Sequence, residues 1–107
     1  MVKALRFDIL LISLDPSLGS EIRKIRPCLV VSPDEMNKYI KTIIVAPMTS
    51  KIKKYPTRIP VTFDGKNGSI VLDQLRTIDK CRIIKKLGVL DRDTTTVVLE
   101  ILGKMFS

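Results

Sequence analysis

The feature that most constrains the fold is the stretch of residues 13–32, where one apolar run ends, a charged loop follows and a second apolar run begins. The first run ends at Asp15-Pro16 and the second opens at Arg26-Pro27. Pro16 fixes φ and has no N–H, and Gly19 can adopt a positive φ, so the connection bends away from both strands. Loops anchored by two strands often hold binding or catalytic groups. The segment therefore predicts two strands with a functional loop, and an ordinary charged hairpin loop is the alternative.

Short apolar and β-branched runs predict further strands. The predicted strands cover residues 6–14, 28–32, 42–47, 57–63, 69–72 and 80–87, and a short helical turn is predicted over 34–39. Pro47 and Gly88 are expected to end strands, and Pro60 indicates an edge position or a bulge. The turn residues 64–68 predict a hairpin.

The C-terminal segment predicts the one clear helix. Its apolar residues recur on one stripe: Val97, Val98, Ile101, Leu102, Met105 and Phe106. Asp91 or Asp93 is the expected N-cap. Several short strands, tight turns and a terminal helix predict a single domain over residues 1–107, mainly β with helices (α+β), built as a small, strongly bent sheet or barrel.

The charge and the apolar content limit the class of protein. Lys+Arg is 19 against Asp+Glu 11, a net charge of +8, and such a field favours polyanions such as nucleic acid. A basic protein without such a partner is the alternative. No apolar run approaches the roughly 18 residues of a membrane span, and the N-terminus lacks a signal-peptide layout, so we expect a cytoplasmic protein.

The absence of histidine excludes several kinds of site. Without it, neither a Cys/His zinc site nor a Cys–His nucleophile can form, and two-imidazole cleavage of RNA is excluded. The two cysteines, Cys28 and Cys81, are expected to be buried free thiols. Any chemistry must use carboxylates, hydroxyls, guanidinium groups or lysine.

Four ordered motifs carry a resemblance to a known family. These are Asp15-Pro16-x-x-Gly19-Ser20-Glu21 followed by Arg26-Pro27, then residues 46–50 (Ala-Pro-Met-Thr-Ser), 55–58 (Tyr-Pro-Thr-Arg) and 72–79 (Leu-Asp-Gln-Leu-Arg-Thr-Ile-Asp). In order and spacing they resemble the MazF/PemK (Kid-like) endoribonuclease toxins over nearly the whole chain. The resemblance implies the SH3-like barrel of the MazF/Kid/CcdB type with a C-terminal helix.

The resemblance also implies an activity. It is sequence-specific, metal-independent cleavage of single-stranded mRNA by 2′-OH attack, which leaves a 2′,3′-cyclic phosphate (or 3′-phosphate) and a 5′-OH, with no cofactor. Arg26 and Thr49 occupy the family's two principal catalytic positions. Arg26 is expected to stabilise the phosphorane, and Thr49 to hydrogen-bond a phosphate oxygen. Glu21 is the candidate for the base, or for orienting Arg26.

A second set of residues is expected to bind RNA or support the site: Ser20, Arg23, Lys24, Ser50, Lys51, Tyr55, Asp73, Gln74 and Arg76. In the Kid branch of the family, an acidic residue at the Asp73 position acts with a basic residue two positions earlier and a histidine in the loop. Val71 and Ser20 stand at those two places here, which favours the Arg/Thr assignment.

The resemblance implies two protein partners, a second copy in a homodimer and a small acidic MazE-like antitoxin that covers the active site. Charge supports the second, because a positive groove suits an acidic segment that folds on binding. Two other functions fit the same fold, a CcdB-like topoisomerase poison and a non-catalytic RNA-binding module. An RNA-cleavage assay separates them from the toxin nuclease.

Overall fold

The computed structural model describes residues 3–14 and 24–107. Its strands and helices are, in order, β1 (Asp8–Ser13), β2 (Ile25–Val30), α1 (Asp34–Tyr39), β3 (Thr42–Thr49), β4 (Arg58–Phe63), β5 (Lys66–Val71), β6 (Arg76–Asp79), β7 (Ile83–Val89) and α2 (Arg92–Met105). Two 3-10 turns, Leu72–Gln74 and Lys80–Arg82, flank β6. The mainly β content with a C-terminal helix confirms the predicted fold class. No helix within the described ranges is long and apolar enough to span a membrane.

All strand pairs of the sheet are antiparallel, and β3 lies at its centre. The order is β4-β5-β3-β2-β1-β7, and β6 also pairs with β3. Pairing with β6 ends at Val45, and pairing with β5 begins at Met48. The predicted end of this strand at Pro47 was wrong, because Pro47 lies in the gap between these two partners, where a missing N–H is tolerated.

Irregular pairing in β7 helps the sheet to curl into a half-barrel. Gly88 pairs with Ile9 but Lys86 pairs with Leu10, so Leu87 is an extra residue, and a second register shift follows. Such bulges bend a strand and increase its twist. A Cβ added at Gly88 would lie 3.1 Å from Phe63 Cε1, which shows that β7 approaches β4 at the other end of the strand order. The prediction that Gly88 ends the strand was therefore wrong. Gly88 lies within β7 and lets the backbone of this strand approach Phe63.

Strand β1 is buried on both faces, which explains its nearly continuous apolar sequence. Ile9 packs into one cluster with Val98 of α2, whereas Leu10 and Ile12 pack into a second cluster on the other face. Within the predicted stripe of α2, Val98 is buried, but Phe106 is 73% exposed. The helix begins after Asp91, whose carboxylate accepts a hydrogen bond from the Thr94 N–H at 2.9 Å.

The β4–β5 hairpin turns over two residues rather than the five predicted. Phe63 pairs with Lys66, and Asp64 and Gly65 have φ of 53° and 74°. Two successive residues with positive φ match the right-handed twist of a hairpin, and Asp-Gly is a preferred pair there. β4 is the first strand in the sheet order, so of the two predictions from Pro60, an edge position or a bulge, the edge position is confirmed.

The two cysteines differ in exposure. Cys28 is buried, as predicted, but the prediction for Cys81 was wrong, since this residue is exposed. The Asp79 carboxylate accepts a hydrogen bond from the Cys81 N–H at 2.8 Å and caps the 3-10 turn there. The cap replaces the predicted strand at this point and leaves Cys81 outside the core.

Candidate active site

A cavity of about 470 Å³ opens where the ends of β2 and β3 meet the β4–β5 hairpin and β7. Three residues that the sequence singled out, Arg26, Thr49 and Ser50, belong to its polar lining, which is here called the rim. Its apolar lining, which is here called the floor, is formed by Pro27, Met48, Val61, Phe63 and Leu87. The fold therefore brings the two expected catalytic residues to one cavity.

The register of the central strands explains why Arg26 and Thr49 meet. Cys28 pairs with Pro47 in the β2–β3 ladder. Continued by two residues, this antiparallel register places Arg26 opposite Thr49. Residues that face each other across an antiparallel pair lie close together. Ile12 of β1 pairs with Arg26 on the other edge of β2.

Two backbone contacts position Thr49. The Lys51 N–H donates a hydrogen bond to Thr49 Oγ1 at 3.2 Å, and a hydroxyl that accepts one bond can still donate its own proton. Thr49 pairs with Ser69 of β5. A Cβ added at Gly68 would lie only 2.4 Å from the Thr49 carbonyl oxygen, so β5 can approach Thr49 this closely only with glycine at that position.

The pKa of the Cys28 thiol depends on its burial and on two nearby arginines. Burial raises the pKa of Cys28 to about 12, against the positive charges of Arg76 and Arg26, which lower it. Cys28 therefore stays neutral at physiological pH and is not a nucleophile for the site. Its role is that of a buried apolar side chain in the second cluster.

Four of the predicted site residues lie, in the sequence, between the end of β1 and the start of β2. Glu21, Ser20 and Arg23 lie outside the described residues. Lys24 is exposed, has a φ of 70°, and its carbonyl accepts a hydrogen bond from the Leu14 N–H at 3.0 Å. This bond joins the residues that flank the connection.

Arg76 supports the end of β1. Its Nη1 donates a hydrogen bond to the Leu14 carbonyl at 2.9 Å, and Arg82 Nη1 donates to the Ser13 carbonyl at 3.3 Å. Gln74 is half-buried in the 3-10 turn before β6. Arg76 was predicted to bind RNA or support the site; its contact with Leu14 holds the end of β1, and the predicted role stays a prediction.

Asp73 belongs to a second group of side chains, here called the Asp73 cluster, formed by Tyr55, Thr57, Arg58 and Asp73. Arg58 Nε and Nη2 each donate to the Asp73 carboxylate at 3.2 Å, and Thr57 Oγ1 donates to it at 3.0 Å. Partial burial raises the pKa of Asp73, but hydrogen bonds from Arg58 and Thr57 outweigh it, so the net pKa is below its ordinary value. The Arg58 guanidinium lies 5.2 Å from the Tyr55 ring centroid.

The sequence did not identify the cavity floor or the partner of Asp73. Leu87 reaches the cavity from a bulged strand, and no pattern in the sequence marks that bulge. Asn67, which also lines the cavity, was assigned only to a turn. Asn67 could have been identified only from its pairing with Thr62, and that pairing follows only from the correct register of the hairpin.

Known proteins match both the sequence and the fold. The family model for the PemK-like, MazF-like toxin of type II toxin-antitoxin systems matches residues 5–106. Endoribonuclease MazF of Staphylococcus saprophyticus is 40% identical over 91 residues, which cover 79% of this chain and 76% of that protein.

Two solved structures from Deinococcus radiodurans resemble the chain closely. MazF (Form-I) has a TM-score of 0.86 and 25% identity and covers 99% of this chain and 98% of its own. The MazE-MazF structure (Form-II) matches with a TM-score of 0.81 and 25% identity and covers 99% and 97%. These matches confirm the MazF-type fold, and the chain belongs to the PemK-like, MazF-like toxins of type II toxin-antitoxin systems.

Proposed function

We propose that this chain is an endoribonuclease toxin that cleaves single-stranded RNA at the rim of the cavity. The placement of Arg26 and Thr49 on one rim carries the proposal. The net charge of +8 and the name of the relative from S. saprophyticus support it. Single strands fit because their unstacked bases can be splayed into a cavity.

The reaction begins with attack of the ribose 2′-oxygen on the adjacent phosphorus. The 2′-O–P bond forms and the P–O5′ bond breaks. The 2′-OH proton passes to Glu21, or to water where Glu21 only orients Arg26, and the departing 5′-oxygen takes a proton from the Arg26 guanidinium or from water. The products are a 2′,3′-cyclic phosphate, which can hydrolyse to the 3′-phosphate, and a 5′-OH. Arg26 stabilises the charge of the phosphorane, and the Thr49 hydroxyl donates a hydrogen bond to one of its oxygens.

Proton transfer needs a further group. Glu21 accepts the 2′-OH proton or orients Arg26, because a guanidinium group has no lone pair suited to general-base work. Asp73 is a poor candidate because its carboxylate already accepts three hydrogen bonds and its pKa is lowered. No metal or other cofactor takes part in this scheme.

The proposed protein partners follow from charge and family. We propose a cytoplasmic homodimer, whose molecular mass in analytical ultracentrifugation would be twice the 12.1 kDa of one chain. An acidic, MazE-like antitoxin segment would cover the positive cavity rim and inhibit cleavage. The D. radiodurans structure of MazE with MazF supports this pairing.

The test uses purified protein, a mixed-sequence single-stranded RNA and a chelator. We expect discrete fragments with 5′-OH ends, no cleavage of the all-DNA analogue, and loss of cleavage in Arg26→Ala. Bound but intact RNA would instead indicate a non-catalytic RNA-binding module. Intact RNA without binding would require a topoisomerase assay, and dependence on metal would overturn the scheme.

A further inference from the structure

The cavity contains more than the proposed cleavage chemistry requires. Stabilising a phosphorane needs charge and hydrogen-bond donors, which Arg26 and Thr49 provide at the rim. The floor, by contrast, is apolar and includes the half-buried Phe63. Phosphate and ribose are polar, so neither explains this floor, whereas the flat face of a nucleobase stacks well on aromatic and apolar side chains.

The fold holds this floor in place without a ligand. The register shift in β7 makes Leu87 the extra residue, and Leu87 lines the cavity. Gly88 leaves just enough room for the Phe63 ring, since an added Cβ would lie 3.1 Å from its Cε1 and 3.3 Å from its Cζ. A preformed floor reduces the entropy lost when a base is bound.

The side-chain amide of Asn67 belongs to a residue that lines the same cavity. Thr62 pairs with Asn67 across the β4–β5 hairpin, and Thr62 Oγ1 donates a hydrogen bond to Asn67 Oδ1 at 2.7 Å. This bond orients the amide, which keeps two N–H donors and one acceptor lone pair. An oriented donor–acceptor pair of this kind can read the edge of a base.

We propose that the cavity holds one nucleobase beside the scissile phosphate and that Asn67 selects this base by its hydrogen-bonding edge, with Thr62 as a positioning residue. The proposal rests on the proposed RNA-cleaving function. The occupant is a base of single-stranded RNA because Arg26 and Lys66 line the same cavity and attract the connected phosphates.

The test is cleavage of a short RNA library with randomised positions around the cut, read by sequencing the new 5′-OH ends. We expect Asn67→Ala to relax the preference at one position by roughly 10-fold and to leave the other positions unchanged. Thr62→Val should relax the same position by a smaller factor. The matched control is Thr96→Val, because Thr96 bonds only its own helix at the Arg92 carbonyl and should keep the wild-type preference.

A second measurement separates this proposal from the proposed activity. RNA with 2′-deoxyribose at the cut cannot undergo 2′-OH attack, and its binding to wild type and Asn67→Ala reports base selection without cleavage. Absence of cleavage by the wild type, with base-selective binding lost in Asn67→Ala, would overturn the nuclease but keep the base site. Thermal unfolding of each variant checks that it is folded.

Three results would overturn the base site. One is an unchanged preference at every position in Asn67→Ala. Another is a uniform loss of cleavage across all sequences, which would indicate a phosphate contact. The third is a loss of affinity for an acidic polypeptide with RNA preference intact, which would make the cavity an antitoxin site.

Discussion

Two half-buried arginines, Arg26 and Arg58, have contrasting surroundings. The Arg58 guanidinium is held by both oxygens of the Asp73 carboxylate and lies over the Tyr55 ring. Arg26 lines the cavity next to Thr49. Both prongs of the Arg58 guanidinium are engaged by one carboxylate, whereas lining the cavity places Arg26 where a bound phosphate could reach it. Residue type alone therefore does not identify the active site.

The same comparison explains why Asp73 differs from a catalytic acid. Its carboxylate is paired with Arg58 and hydrogen-bonded by Thr57, and its pKa is lowered as a net result. These contacts favour the ionised form and occupy its oxygens. We infer that the Asp73 cluster fixes the loop that carries Tyr55, while the reaction takes place at the cavity rim.

The largest expected contrast is between Thr49→Val and Asp73→Asn. Thr49→Val removes a hydroxyl proposed to contact the phosphorane, so kcat should fall by about 100-fold. Asp73→Asn weakens a partly exposed ion pair, and kcat should change by less than about fivefold. Single-turnover cleavage of one RNA measures both. A greater loss in Asp73→Asn than in Thr49→Val would reverse the assignment of the two regions.

Gly68→Ala should disturb the rim through the backbone. The added Cβ would meet the Thr49 carbonyl oxygen at 2.4 Å, so β5 must shift, at a cost of about 1–3 kcal/mol, and cleavage should fall with it. Gly103→Ala is the matched control, since nothing lies within 4 Å of its added Cβ in α2.

The control should increase the free energy of unfolding by roughly 0.5–1 kcal/mol, because alanine is the better helix former. Urea unfolding measures both variants. Equal stability changes of the same sign would show that the contact with Thr49 is unimportant.

Arg58→Lys and Arg26→Lys test the two arginines while keeping their charge. Lysine cannot form the two-pronged pair with Asp73 or stack in the same way on Tyr55. We expect Arg58→Lys to raise KM by about two- to fivefold at unchanged kcat, and Arg26→Lys to lower kcat. Initial cleavage rates at several RNA concentrations give kcat and KM separately for each variant and so test both predictions. An unchanged KM in Arg58→Lys would remove the role of the cluster in holding Tyr55 for RNA.

The smallest expected effect is a pH dependence of stability at the Asp73 cluster. Because the folded pKa of Asp73 is lowered, its ion pair stabilises the protein above the ordinary carboxyl pKa of about 3.9 and is lost as the pH falls through the folded value. The side chain is 35% exposed, so the contribution should stay below about 1 kcal/mol. Urea unfolding of wild type and Asp73→Asn from pH 7 to pH 3 should show the two stabilities converging in acid, whereas a constant difference would contradict the pairing.

The local sequence was sufficient for the elements with strong short-range signals. Asp91, one of the two predicted N-caps, caps α2, and β4 has the edge position that was one of the two predictions from Pro60. Pro47 and Gly88 were misleading as strand ends. Their effect depends on the partner strand, which a single segment does not contain.

The sequence by itself determined the family, the mainly β fold and the pairing of Arg26 with Thr49 as candidates, because ordered motifs and apolar periodicity are local properties. Only the tertiary structure decided that these two residues share a cavity with Phe63 and Leu87, and that Asp73 binds Arg58 instead. The reason is physical: strand register, bulges and ion pairs join residues distant in the chain, and their energies depend on packing that no single segment encodes.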